Sequence, residues 1–567
     1  MATPARSAIR STGQASIVVA LGLALAAAVL MLLLSSTASS AQDGASKTPA
    51  VLGTNGASVP KIQWESCPKD VATARWQCAE VRVPLSYRHP DGRKITLALG
   101  RLPAADQERK IGTLFENPGG PGASGRIPAH FSKTLHKRFD IVGFDTRGTN
   151  ASTPLTCFTS DQQSKETFQR PFPADPKQVK PFFKAQERGT RLCERNAGPI
   201  ISHMSTANVA RDMDLLRQAV GDKKMTYHGV SYGTFLGSTY ANLFPGKVRA
   251  ITIDGVVDPK EWTTGEKGAE GSKQPLTYRM GSFNGAQHGL ETFLAACASA
   301  GPGRCAFAER GAGPGELLAR YEQILERLHQ GPVKVTDGGQ TSSVTYQDAV
   351  GTTLGYLYHP KYAPTLASFL EDLHEATQAA GQKTAPSAPP EVDVPDVSTT
   401  PTFARPQPPV AAREWFLGVA CLDSTNPPSV ASWPRYARKA DEQAPGFGSW
   451  WVYISTPCPT WPAEDQDRYQ GPWNKETANP VLVVGNRLGD PSTPYENART
   501  TANRRLADAR LLTLDSYGHI ASYNHLSHCI NKAVDRYLVQ TKLPPKGKVC
   551  QPNHGPFDTQ PTGGSTP

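Results

Sequence analysis

Three regimes of apolar and polar patterning divide the chain. An unbroken apolar run from Ile17 to Leu34 follows Arg6 and Arg10 and gives way to small polar residues ending Ser39-Ser40-Ala41. This is the pattern of a secretory signal peptide cleaved after about Ala41, with an uncleaved membrane anchor as the alternative. Residues 42–60 are polar and rich in Gly, Ala and Ser, a linker or pro-segment. From 61 to 258 short apolar runs alternate with stretches of helical period. Strands are predicted over Ile95 to Leu102, Thr113 to Phe115, Ile141 to Phe144, Met225 to His228 and Val248 to Ile253. A helix capped by Thr206 is predicted from Val209, Met213, Leu216 and Val220, and another over Thr234 to Phe244.

Past Asp258-Pro259 the alternation stops. Helical stretches such as Leu317 to Leu328 and Thr365 to Ala379 remain, and Pro386 to Pro409 is dense in Pro, Ala, Ser and Thr. The expectation for 259–415 is a helical cap insertion carrying a Pro-rich loop. Strand runs return at Val481 to Val484 and Leu511 to Leu514, so 416–550 is expected to complete the first domain, with a flexible tail over 551–567. The sum is an α/β protein: a mainly parallel sheet with helices on both faces and a cap over its C-terminal edge, where open α/β sheets bind ligands.

Composition narrows the class. The 567 residues are 38% hydrophobic and carry a formal charge of +10. Losing Arg6 and Arg10 with the leader leaves about +8. The basic residues are scattered rather than clustered, which argues against a nucleic-acid partner. Ten cysteines, all beyond the leader, fit an exported chain with disulfides. Their spacing suggests sequential pairs: Cys67 with Cys78, Cys157 with Cys193, Cys297 with Cys305, Cys421 with Cys458, and Cys529 with Cys550. No C-x-x-C pair occurs, so no metal site is expected.

The chemistry centres on Gly229-Val230-Ser231-Tyr232-Gly233, the G-x-S-x-G pattern that presents a serine on a tight strand-to-helix turn. The pentapeptide alone is weak, and its context decides. A serine hydroxyl needs a base and an orienting acid. His519, in a loop after Leu511 to Leu514, is the candidate base. Asp490, after Val481 to Val484, is the candidate acid, and the order Ser, acid, His is that of α/β-hydrolases. Asp254 and Asp258 also follow a strand and remain rival acids; His525, His528 and His228 are the other histidines near these motifs. Backbone N–H groups for the oxyanion are expected from Tyr232 and from Gly119 and Gly120 of the loop Asn117-Pro118-Gly119-Gly120-Pro121-Gly122. That spacing fits neither a P-loop nor a dinucleotide fingerprint.

Together these residues resemble the secreted bacterial tripeptidyl aminopeptidases, α/β-hydrolases related to prolyl aminopeptidases. The resemblance rests on Asn117 to Gly122 with Ser124-Gly125, Gly143-Phe144-Asp145-Thr146-Arg147-Gly148, Gly229 to Thr234, Asp254 to Pro259, Cys458 to Pro462, Asp490 to Pro494 and Gly518-His519. It implies release of short peptides, commonly tripeptides, from free N-termini, with Ser231, Asp490 and His519 as the triad. Two departures stand out. Thr149-Asn150-Ala151-Ser152 stands where relatives usually carry a further Gly, and Glu116 stands where they are often apolar. Glu116, beside the oxyanion loop, is a candidate partner for a substrate ammonium. The expected partners are peptide or protein N-termini, with no nucleic acid, no metal and no cofactor, a membrane only through an uncleaved leader, and a monomeric protein. Rival readings are a carboxylesterase or lipase on the same fold and a non-catalytic binding protein that kept it.

Overall fold

A computed structural model describes residues 52–69, 71–72, 75–127, 131–337, 340–381 and 413–558. The leader, the first half of the linker expected over 42–60 (to Val51), the Pro-rich loop and the last nine residues of the tail lie outside them. Among the described residues no helix is long and apolar enough to cross a membrane.

The strands are β1 (Glu65–Ser66), β2 (Gln77–Pro84), β3 (Lys94–Leu102), β4 (Gly112–Asn117), β5 (Phe139–Phe144), β6 (Met225–Val230), β7 (Val248–Asp254), β8 (Val333–Asp337), β9 (Gln340–Val344), β10 (Val481–Asn486), β11 (Ala509–Leu514) and β12 (Val549–Cys550). Ten of them form one sheet in the order β1-β2-β3-β5-β4-β6-β7-β10-β11-β12. Pairing is antiparallel from β1 through β3 to β5 and parallel from there onward. Every residue of β5, β6 and β10 is buried. That is what a parallel strand covered on both faces requires, and it explains their nearly unbroken apolar runs.

Side chains alternate across the sheet with the two-residue strand period. Phe115, Val142, Tyr227, Ile251 and Val483 pack against the helices Thr206–Ala219 and Tyr232–Leu243 on one face. Leu114, Ile141, Ala250, Leu482, Val484 and Leu512 pack against His528–Gln540 on the other. The expected helix at Thr206 is present, but Thr206 is its first residue and Ser205 precedes it as N-cap. The Thr206 amide and hydroxyl both go to Asp423, at 2.8 and 2.7 Å, and the hydroxyl also meets that of Tyr232 at 2.6 Å. A buried carboxylate from far along the chain therefore holds this helix N-terminus.

Among the described residues between β7 and β10, no strand joins the main sheet. It forms helices Ser282–Ala300, Pro314–His329, Tyr346–Leu357 and Ala363–Gly381 and the hairpin β8–β9, around a separate apolar cluster. That cluster also takes Trp433, Tyr436, Phe447 and Val452, from helices beyond residue 415. Five disulfides join the sequential cysteine pairs, Cys67–Cys78, Cys157–Cys193, Cys297–Cys305, Cys421–Cys458 and Cys529–Cys550.

Candidate active site

β6 ends at Val230 and a helix begins at Tyr232, so Ser231 has to turn the chain between them. Its φ of 56° is the left-handed conformation that such a turn imposes, at a cost of roughly 1–3 kcal/mol for a residue with a side chain. Its neighbours absorb the crowding. A Cβ on Gly233 would lie 2.6 Å from the Asn117 carbonyl oxygen, and one on Gly119 would lie 2.7 Å from the Ser231 Cβ and 3.2 Å from the Tyr232 nitrogen. Only glycine lets the loop after β4 lie directly against the nucleophile.

Two carboxylate oxygens of Asp490 face His519 Nδ1, at 2.9 and 3.0 Å. This fixes the proton on Nδ1 and leaves Nε2 as a free base. Asp490 is 1% exposed and is held by its own loop. It accepts the Ser492 and Thr493 amides at 2.9 and 2.8 Å and the Thr493 hydroxyl at 2.9 Å. Burial alone pulls the His519 imidazole down. The charge and hydrogen bond of Asp490, with the charge of Asp254, outweigh it and hold the group above the ordinary histidine value. His519 and the nucleophile share an edge through β7: the Ser231 amide donates to the Asp254 carbonyl at 2.9 Å, and a Cβ on Gly255 would lie 3.2 Å from His519 Cε1.

The insertion grips the loops that carry both His519 and Asp490. The His519 amide donates to the Tyr358 carbonyl at 2.8 Å, and the Tyr358 ring meets the imidazole edge-on, centroids 5.2 Å apart. Helix Ser282–Ala300 crosses the acid loop at backbone distance: a Cβ on Gly285 would lie 2.0 Å from the Asp490 carbonyl oxygen. Nothing in the local sequence announces Tyr358, because its neighbour lies some 160 residues away.

The rival residues have other partners. Asp258 binds Arg505 through both oxygens at 3.0–3.1 Å and accepts the Lys260 amide at the start of helix Pro259–Thr263. Asp254 accepts bonds from the loop after His519 rather than from its ring. His228 is buried beneath the elbow and burial drives it down to about 3. His525 and His528 lie at the start of the final helix, where the His528 amide meets Asn553.

Arg147, from the second motif, has no exposed surface. Its guanidinium makes a bidentate pair with Asp212 at 2.6 and 2.7 Å and donates to the carbonyls of Pro84, Leu85 and His203. With its hydrogen bonds satisfied it fastens the chain, as a buried ion pair must. Asp145 of the same motif accepts the Ser124 hydroxyl and the Gly125 and Ala151 amides at 2.7–3.1 Å, and Asn150 donates to the Gly122 carbonyl at 2.9 Å. Asn150 has φ 48°, a left-handed conformation that asparagine tolerates.

Two expected assignments need revision. The Gly119 amide already donates to Asn117 Oδ1 at 3.0 Å, which leaves the Gly120 amide as the loop's candidate oxyanion donor. Glu116 lies within β4, 2% exposed, and among the described residues its Oε2 has no polar partner. Burial raises its carboxyl to about 8, so at neutral pH it is uncharged and presents no anion to a substrate ammonium.

The Glu116 shift has a measurable consequence. The folded chain holds this proton to about pH 8, whereas the unfolded chain releases it near the ordinary 4.5. The associated stability is complete below the lower value and is lost as pH rises through the upper one. Glu116→Gln is expected to flatten the fall of Tm on the alkaline side and to gain roughly 2–3 kcal/mol over the native chain near pH 9 relative to pH 6. Thermal unfolding at both pH values checks this; parallel losses in the two proteins would contradict it.

Known proteins place this geometry in a family. Residues 113–278 match the model described as alpha/beta hydrolase fold and 443–550 the model described as TAP-like protein. The first segment carries the elbow and the second Asp490 and His519. The tripeptidyl aminopeptidase of Streptomyces lividans is 29% identical over 517 residues, covering 87% of each chain. Serine protease Hip1 of Mycobacterium tuberculosis is 28% identical over 86% of this chain and 91% of its own. Carboxylesterase B of the same organism is 30% identical over 90% of this chain and 94% of its own. The likeness runs through both catalytic segments and the insertion between them, and the protein belongs to the TAP-like α/β-hydrolases as a serine hydrolase.

Proposed function

We propose that the protein is a secreted serine exopeptidase that releases short peptides, tripeptides foremost, from free N-termini. The observation that carries this reading is His519 Nδ1 seated on both oxygens of Asp490 at the sheet edge where Ser231 turns out of β6. His519 Nε2 takes the Ser231 proton as the hydroxyl attacks the scissile carbonyl. The Tyr232 and Gly120 amides hold the oxyanion; Tyr232 is the first residue of its helix, where an N–H has no intrahelical acceptor. His519 then protonates the leaving amine, and water, activated by the same imidazole, frees the acyl group.

The peptidase names of the Streptomyces and Hip1 relatives support peptides as substrates. Five disulfides support an oxidising compartment outside the cytoplasm. A signal peptide over 1–41 supplies export, and the segment from 259 to about 415 acts as the cap that limits access to the site. The carboxylesterase name of a third relative favours a second reading, ester hydrolysis by the same triad. Chromogenic tripeptides with free and blocked N-termini, beside a short-chain ester, separate the two. Cleavage confined to the free tripeptide is the expected result. Cleavage of the ester with neither peptide cut would replace the exopeptidase by a carboxylesterase.

A further inference from the structure

Asp254 ends β7 with no exposed surface, and it bonds in two directions. Its carbonyl oxygen accepts the amide of the nucleophile, Ser231, at 2.9 Å. Its carboxylate accepts the Ala521 amide at 2.9 Å, the Ser522 amide at 2.6 Å and the Ser522 hydroxyl at 2.5 Å. These groups belong to the loop that carries His519. The loop needs such fastening, because Ile520, next to the imidazole, has φ 62°, a conformation that a β-branched residue adopts only when its surroundings impose it. Asn486 adds a second clamp, its side-chain amide donating to the Ile520 carbonyl at 2.9 Å.

We propose that Asp254 is a positioning residue of the hydrolase: one residue that sets the nucleophile through its peptide and the catalytic histidine through its carboxylate. The proposal rests on Ser231, His519 and Asp490 being the triad.

Hydrogen-bond bookkeeping supports the ionised form of Asp254. Two backbone amides that can only donate face its oxygens, and the Ser522 hydroxyl can donate to them as well, so the surroundings offer more donors than a protonated carboxyl could use. Burial and the nearby Asp490 raise the group, and the Ser522 and Ala521 bonds oppose them. Ser522 spends its hydroxyl proton on Asp254 and so accepts from His228 Nε2 at 2.9 Å. That fixes the His228 tautomer with Nδ1 bare. Buried against Phe131 and Tyr523 and neutral above about pH 3, His228 is a fixed donor behind Ser522 rather than a proton carrier.

The groups facing the His519 imidazole are Asp490 on Nδ1, the Thr493 hydroxyl at 3.3 Å, Asp254 beneath the loop and the Tyr358 phenol ring from the insertion. Of these, Asp490 and Asp254 are the carboxylates, and the charge of each favours the imidazolium. Removing the Asp254 charge therefore lowers the His519 value, and the pH below which the base is lost moves down with it.

The test uses the full mature protein and the rate at which a fluorophosphonate modifies Ser231, followed against pH, which needs no knowledge of the natural substrate. Asp254→Asn keeps an acceptor for Ser522 and removes the charge. Its plateau rate is expected to fall about 10-fold, with the acid midpoint displaced downward by about half a pH unit. Ser522→Ala keeps the charge and the backbone bonds. It is expected to lose about 3-fold in plateau rate with the wild-type midpoint. Should Asp254→Asn fail to fold, Ser522→Ala decides: a reduced plateau at an unmoved midpoint supports the proposal and wild-type behaviour overturns it. Wild-type rates and midpoints in both variants, or a lower rate in Asp254→Asn without the displacement, also overturn it. A wild-type chain that the probe leaves unmodified at Ser231 removes the triad and the proposal together, a result distinct from unaltered variants of a modified chain.

Discussion

Ser231→Ala is expected to lose about 10⁴-fold or more in turnover and to take up no fluorophosphonate, with an unchanged Tm. The loss is large because the nucleophile has no substitute in the site: His519 would have only water to activate. The fold survives because every bond at this position is made by the backbone. The Ser231 amide binds the Asp254 carbonyl, and its own carbonyl accepts the Thr234 amide and hydroxyl. Alanine keeps the Cβ that the turn already accommodates at φ 56°. Intact-mass measurement after probe treatment, beside a melting curve, tests both halves. Turnover retained at more than about one per cent would remove Ser231 from the mechanism.

Asp490→Asn is expected to lower kcat by about 10⁴-fold while the protein remains folded. The amide oxygen can keep accepting the Ser492 and Thr493 amides, so the loop holds. The amide nitrogen then faces His519 Nδ1 and demands an acceptor there. The ring answers by moving its proton to Nε2, the atom that has to receive the serine proton. A loss of less than about 10-fold would shift the orienting role to another carboxylate. KM should change little, since Asp490 is buried behind the imidazole and away from a bound chain.

Much of this architecture was legible in the sequence, for a physical reason. Strands buried on both faces, such as Val481 to Val484, need apolar side chains in succession, and few other structures do. The elbow and the order of Ser231, Asp490 and His519 stood out because each lies just after a strand, at the one edge where such residues meet. The cysteine pairs followed from proximity along the chain. β2 was missed because Gln77–Pro84 alternates polar and apolar side chains near the sheet margin, a pattern that also suits loops. The hairpin β8–β9, with Lys, Thr, Gln and Ser among its ten residues, offered only three valines as an apolar signal. Spacing could not choose between Asp254 and Asp490, since one ends a parallel strand and the other lies in the loop just after the next. The choice lies in which loop lets a carboxylate reach the imidazole, and that is tertiary information. Glu116 misled for the same reason: position along β4 does not say whether a side chain meets solvent or core.

The grip of the insertion on the catalytic loops bears on how such an enzyme can be taken apart. In a modular hydrolase the lid is an accessory that selects substrates, and trimming it leaves a bare, promiscuous catalyst. Here the carbonyl that receives the His519 amide and the helix that lies on the Asp490 backbone both come from the insertion. A minimal version pruned to the sheet and its flanking helices would lose the scaffolding of its own acid and base. With the insertion as the proposed cap and these loops as the proposed acid and base, specificity and reactivity are coupled by construction. Grafting a relative's insertion to change what is cut would also re-set the alignment of the triad, and the exchange would have to include the loops around Tyr358 and Gly285 together with those of Asp490 and His519.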